Sequence, residues 1–352
     1  MEKEKAIYYI EHSFLQAILS IEDVTDITFN GRDFYYVTNL KGRAKSDVVV
    51  EHQAVKDFLR QIANLSEKQF NYSVPILDVS IGKYRINAMH QSIGKISDED
   101  VVTFAIRIAS STPKINRKSD FFTPEIVNLL MELINNRLSI VIGGLTSSGK
   151  TEFQKFLLRE MPDNERVIVI DNVMELDAVR SERIDLTCWK VDEKNENASA
   201  SILIKSALRN NPDWLILAEA RGEEMVDVLN SAMSGAPIIT TIHSFDVKSL
   251  PYRMGRLAQK SSQKMDYNEL LNDIYYHFHF YFYLNKEDGK TIKRYISDIG
   301  FVDNNGKFYP LYQKRKDKHH YYHLPEESLY LFRKEPLTEA FTKCFLRGSK
   351  NE

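Results

Sequence analysis

Leu138-Ser139-Ile140-Val141-Ile142-Gly143-Gly144-Leu145-Thr146-Ser147-Ser148-Gly149-Lys150-Thr151-Glu152-Phe153-Gln154-Lys155-Phe156-Leu157 is the stretch on which the reading turns. Residues 138–142 are a short apolar run suited to a buried strand, and Phe153, Phe156 and Leu157 follow at helical spacing. Between strand and helix, Gly144, Gly149, Lys150 and Thr151 meet the pattern of a phosphate-binding loop, with Thr146, Ser147 and Ser148 inside it. The glycines let backbone amides turn inward around phosphates, and the following helix N-terminus adds partial positive charge. Lys150 then reaches the β and γ phosphates and Thr151 can hold a magnesium ion, so ATP and Mg2+ are the ligands implied. A purely structural Gly-Lys-Thr turn has no need of this strand-loop-helix setting.

Outward from the loop, strands and helices alternate. Residues 167–170, 214–217 and 238–242 read as strands, while residues 202–208 and the face Met225, Val228, Leu229, Ala232 read as helices. That alternation predicts a mostly parallel sheet sandwiched by helices. Phosphoryl transfer needs a carboxylate at a neighbouring strand end. Two strands supply one: residues 215–217 run into Glu219, and residues 167–170 run into Asp171, with Glu175 four residues on. Glu219 is the preferred catalytic and metal-holding carboxylate, on a strand expected to lie beside the loop strand. His243 follows residues 238–242 in the same way and is placed to sense the γ-phosphate.

The first hundred residues differ in texture. β-rich runs flank Asn30-Gly31 and Gly82-Lys83, which predicts hairpins in a small α+β domain over residues 1–109. Residues 110–120 are polar, basic and proline-bearing, so the linker is set at 110–122 and the second domain at 123–352, starting with the helix signal Thr123-Pro124-Glu125. Residues 275–284 and 291–299 read as a strand pair with a charged turn, appended to the sheet. The basic, aromatic residues 314–323 read as a solvated loop.

The 352 residues are 43% hydrophobic, enough for two cores, and carry 47 basic against 49 acidic side chains. Such balance gives no global pull toward nucleic acid or anionic lipid. Cys188 and Cys344 have neither disulfide-framework nor zinc spacing. His277 and His279 are two apart with no third ligand, which argues against a metal site there. No signal-like or membrane-spanning run is seen, so a cytoplasmic chain is expected.

Three segments carry a family resemblance. Residues 211–222, Asn-Pro-Asp-Trp-Leu-Ile-Leu-Ala-Glu-Ala-Arg-Gly, resemble a Walker B segment with glutamate in place of aspartate; residues 171–176 resemble an acidic box; residues 240–244, Thr-Thr-Ile-His-Ser, resemble a histidine box. Together with Gly82-Lys83-Tyr84-Arg85-Ile86-Asn87-Ala88 and Phe104-Ala105-Ile106-Arg107, they make the chain resemble the secretion ATPase superfamily, the motors of type II and type IV secretion, conjugation and pili. The resemblance spans most of residues 20–300. It implies a RecA-like P-loop ATPase domain behind a smaller N-terminal α+β domain, assembled as a hexameric ring, with Arg85, Arg107 and Arg221 as phosphate contacts. It further implies location at the inner face of the cell membrane, with secretion or conjugation components as partners.

The acidic box opens Asp171-Asn172 where the family has Glu-Asp, and the turn between Ala232 and His243 is two residues short. The absent tetracysteine module places the chain nearer the conjugation, type IV secretion and Tad-like branch. The leading expectation is therefore a hydrolytic motor of a type IV secretion or conjugation apparatus. The alternatives are a Tad or type IV pilus ATPase, a RecA-like nucleic-acid motor, and a nucleotide sensor without hydrolysis.

Overall fold

The computed structural model describes residues 2–109, 114–179, 182–192, 195–262, 265–287, 289, 291–332 and 337–346. It divides into two compact units, Met1–Ser111 with Glu287–Lys293, and Thr112–Lys286 with Arg294–Glu352.

The first unit holds helices α1 (Glu2–Glu11), α2 (Gln16–Leu19) and α3 (His52–Leu65). Its strands are β1 (Val24–Phe29), β2 (Phe34–Thr38), β3 (Gly42–Lys45), β4 (Ile76–Ile81), β5 (Tyr84–Met89), the short pair β6 (Lys95–Ile96) and β7 (Glu99–Asp100), and β8 (Thr103–Ile108). Six of them form one sheet in the order β3-β2-β1-β8-β5-β4, antiparallel at every pairing. Both hairpins expected at Asn30-Gly31 and Gly82-Lys83 are present, pairing Phe29 with Phe34 and Ile81 with Tyr84. Helix α3 buries Val55, Phe58, Leu59, Ile62 and Ala63, a spacing that makes one continuous apolar stripe. That stripe packs with Ile27, Ile86 and Ile106 of the sheet, so Asp26, Arg85 and Arg107, next to them along alternating strands, fall on the other face.

The second unit is α/β. Its strands are β9 (Ile140–Gly144), β10 (Arg166–Asp171), β11 (Asp185–Lys190), β12 (Trp214–Leu217), β13 (Ile238–Ile242), β14 (Phe280–Glu287), β15 (Lys293–Val302), β16 (Phe308–Arg315) and β17 (Lys318–Tyr321). They form a nine-stranded sheet in the order β11-β10-β12-β13-β9-β14-β15-β16-β17. From β11 to β14 the pairings are parallel, and β15 to β17 pair antiparallel. The helices are α4 (Pro124–Asn135), α5 (Lys150–Arg159), α6 (Ala200–Leu208), α7 (Met225–Met233), α8 (Leu250–Ala258), α9 (Tyr267–His277) and the short α10 (Glu339–Phe341). Alternate strand residues face two cores: Ile140, Ile142, Val167, Val169 and Ile216 pack with α4 and α5, and Val141, Ile168, Ile170, Leu215 and Leu217 with α6 to α9. Helices on both faces explain the unbroken apolar runs of these strands. Among the described residues, no helix is long and apolar enough to cross a membrane.

Three expectations change. The strand of Glu219 does not adjoin the loop strand, because β13 pairs with both β12 and β9 and lies between them. Residues 275–277 close α9, and the strand begins only at Phe280, inside the sheet and parallel to β9. Residues 314–323 are not a solvated loop: they complete β16, turn and form β17. Of the expected linker, residues 110–113 lie outside the described residues, and the remainder is anchored by its apolar side chains. Ile115, Phe121 and Phe122 are buried in the core that also holds α4 and α5. Of the turn expected between the strands of residues 275–284 and 291–299, Asp288 and Lys290 lie outside the described residues.

Candidate functional site

The loop after β9 carries its chemistry on backbone shape. A Cβ at Gly144 would stand 2.5 Å from Ser148 Oγ and 2.8 Å from the Leu284 carbonyl, so no side chain fits there. Gly149, which opens α5, has φ +97°, a conformation that suits glycine. Leu145, Thr146 and Ser147 are exposed at the tip, whereas Ser148 is buried and its Oγ has no hydrogen-bond partner. Thr151 is half-buried in the first turn of α5. The loop sits at the carboxyl ends of the parallel strands, where open α/β sheets bind ligands.

Lys150 is buried, and its ammonium donates to the carbonyls of Gly144 at 3.0 Å and Leu145 at 2.9 Å. The same Nζ lies 3.3 Å from His243 Nδ1. An ammonium only donates, so Nδ1 is the accepting nitrogen and the imidazole proton sits on Nε2. That Nε2 faces Glu219 Oε1 at 3.0 Å, and Glu219 Oε2 accepts from Arg221 Nη2 at 2.6 Å. Burial pushes the Glu219 carboxyl up, but Arg221, His243 and Lys150 outweigh it and hold the group below the usual carboxylate range. A continuous line of polar contacts thus runs from Lys150 through His243 and Glu219 to Arg221. The intervening β13 is the reason His243 occupies its middle.

Backbone bonds aim the carboxylate. The Thr241 hydroxyl donates to the Ala218 carbonyl at 2.7 Å and the Ala220 N–H to the Thr241 carbonyl at 2.9 Å, clamping Glu219 from both sides to the end of β13. From below, Gln154 Nε2 donates to the Leu217 carbonyl at 3.1 Å, tying α5 to β12. On the far side, Glu224 Oε1 accepts from the N–H groups of Arg221 at 2.5 Å and Gly222 at 2.8 Å.

Asp171 shapes the backbone that follows β10. Its carboxylate is buried and accepts from the N–H groups of Val173 and Glu175 at 2.8 Å each and of Leu176 at 3.2 Å. Both oxygens therefore hold a turn, in which Met174 adopts φ +63° and Glu175 is bound through its backbone. In the first unit, Arg85 and Arg107 are register partners on neighbouring strands, Arg107 also stands opposite Asp26, and Arg85 lies 3.8 Å from Asp78. Lys150, Glu219, Arg221 and His243 are thus brought together, and Arg85 and Arg107 form a pair of their own.

Several contributors escaped the sequence reading. Gln154 is polar at a position on the buried face of α5 where the helical spacing calls for an apolar residue, a signal that was available. Thr241 and Glu224 act through local backbone bonds that no pattern marks. Arg294 donates from Nε to the Ser147 carbonyl at 2.8 Å across 147 residues of chain, and nothing local announces it. Among the described residues, no group of three or more His, Cys, Asp or Glu side chains is placed to hold a metal ion.

Comparison with known proteins places the chain in a family. An uncharacterized protein of Bacillus anthracis is 27% identical over 289 residues, which cover 78% of this chain and 63% of that protein. The type IV secretion system protein VirB11 of Brucella suis is 26% identical over 198 residues, 54% of this chain and 55% of that one. The chain therefore spans less than two thirds of the length of these relatives. Among solved structures, the Legionella pneumophila ATPase DotB shares the fold with a TM-score of 0.63 at 17% identity, covering 94% of this chain and 84% of that one. Residues 83–272, more than half of the chain and including the loop, Glu219 and His243, match the model described as Type II/IV secretion system protein, and the chain belongs to that family.

Proposed function

We propose that this chain binds and hydrolyses ATP as a motor subunit of a type IV secretion or conjugation apparatus. The observation that carries the reading is the line Lys150–His243–Glu219–Arg221 along the glycine-rich loop. Lys150 would exchange its loop carbonyls for the β and γ phosphates, which offer the same donor a stronger, charged acceptor. Glu219, ionised and backed by Arg221, would polarise the water that attacks the γ-phosphate, giving ADP and phosphate. His243, between the two, would report the phosphate's presence to the carboxylate.

A magnesium ion suits the hard oxygens of the Thr151 hydroxyl and the Glu219 carboxylate, since it takes few protein ligands alongside phosphates and water, and it would neutralise developing phosphate charge. Arg85, Arg107 and Arg221 are assigned to phosphate oxygens, a task for which the guanidinium's fixed fork is suited. Assembly as a six-membered ring of RecA-like subunits at the cytoplasmic face of the cell membrane, beside inner-membrane secretion components, completes the proposal. Family membership, the named role of the Brucella relative and the shared fold with an ATPase support it. The test is genetic: in cells whose apparatus includes this chain, Lys150→Ala should abolish transfer or secretion while the protein accumulates to parental level. Parental transfer by that variant would refute the motor role.

A further inference from the structure

Two strands reach the loop besides β13. Arg294, near the start of β15, donates from Nε to the Ser147 carbonyl at 2.8 Å, and a Cβ on Gly149 would lie 3.5 Å from Arg294 Cδ, so the side chain runs along the loop's outer wall. Ser147 is the loop's strained point. Its φ is +62°, which costs a non-glycine residue about 1–2 kcal/mol. The following N–H, that of Ser148, turns back to the Leu145 carbonyl at 3.3 Å. Ser147 is exposed, and its carbonyl is met by Arg294. At the loop's entry, β14 contributes Leu284, paired with Gly144. The loop is thus held at its entry by β14 and at its tip by β15.

We propose that Arg294 is a positioning residue for this loop: by fixing the Ser147 carbonyl it keeps the neighbouring amides set for phosphate, raising affinity for ADP and ATP without touching the reacting atoms. The inference rests on the nucleotide reading of the loop. It is specific about mechanism, since the hydrogen bond at Nε is what matters and not the charge. Glutamine tests that distinction, because its Nε2 stands the same number of bonds from the backbone as arginine Nε and donates without a charge.

The experiment compares the full-length parent, Arg294→Ala and Arg294→Gln for binding of ADP and ATP by titration calorimetry with magnesium, and for KM and kcat of ATP turnover. Arg294→Ala should weaken both nucleotides about five- to tenfold, the loss of one hydrogen bond of ordinary strength, and the loss should appear in KM and not in kcat. Arg294→Gln should stay within about threefold of the parent. Parental affinity in Arg294→Ala overturns the inference. So does an Arg294→Gln variant as weak as Arg294→Ala, because the guanidinium charge would then be acting on the phosphates. A parent that binds neither nucleotide removes the reading of the loop as well, an outcome distinct from a binding parent matched by Arg294→Ala.

Discussion

Glu219→Gln removes one charge from the middle of the line and leaves nearly everything else in place. Its side chain is 21% exposed and contacts His243 Nε2 at 3.0 Å and Arg221 Nη2 at 2.6 Å. The amide keeps an oxygen for one of these donors, so the fold and the clamps from Thr241 and Gln154 should survive. What is lost is the charge proposed to polarise water, and since the surrounding cations keep the carboxyl ionised at neutral pH, that charge is fully present in the parent. Losing a general base lowers turnover by roughly 10² to 10⁴, equivalent to about 3–5 kcal/mol of barrier. Binding should move the other way or not at all, because one negative charge is removed beside the γ-phosphate. Rapid-quench measurement of single-turnover hydrolysis, with nucleotide affinity measured in parallel, separates the two. The variant should bind ATP at least as tightly as the parent and accumulate in its ATP-bound form. Near-parental hydrolysis by Glu219→Gln would refute the reasoning, and if Asp171→Asn or Glu175→Gln were inactive in the same assay the catalysis would belong to the turn after β10.

The same geometry fixes other outcomes. His243→Ala should keep ATP affinity within about threefold and lose turnover, since the imidazole touches Lys150 and Glu219 without anchoring phosphate; a large loss of affinity in calorimetry would contradict this. Asp171→Ala should lower stability by about 2–4 kcal/mol in urea unfolding, because three backbone donors lose a charged, buried acceptor; an unchanged midpoint would show that the turn does not depend on it. The folded-state shift of Glu219 is downward, so its contribution to stability is complete above the unfolded value near pH ~4.3 and is lost as pH falls through the lower folded value. Below about pH 4.5, melting temperature should therefore fall more steeply for the parent than for Glu219→Gln, and parallel curves would count against the ion-paired carboxylate.

How much of this was legible depended on range. The loop, the flanking strand and α5 were readable because their signals are contiguous: an apolar run, two glycines, then Phe153, Phe156 and Leu157 at helical spacing. The two expected hairpins of the first unit were readable from turn chemistry, four residues connecting Phe29 to Phe34 and two connecting Ile81 to Tyr84. Strand order was not, because β12 and β13 are both short and buried throughout and only long-range pairing decides which adjoins β9. Residues 275–277 misled through their aromatic character, which suits a strand, while tertiary packing of Tyr275 beside Leu271 and Ile274 keeps them in α9. The turn held by Asp171 was not legible either, because an acid at a strand end does not announce which backbone N–H groups its oxygens accept from. Arg294 shows the limit for contacts closed over a long stretch of chain.

The central claim is that this chain turns over ATP through the loop that carries Lys150. Phosphate release from magnesium-ATP by the purified full-length chain, measured beside Lys150→Ala at matched concentration, tests it most directly. Removing the ammonium leaves the β and γ phosphates without their main positive partner, so the parent should release phosphate continuously and Lys150→Ala should fall to background. Equal rates from the two proteins would contradict the account.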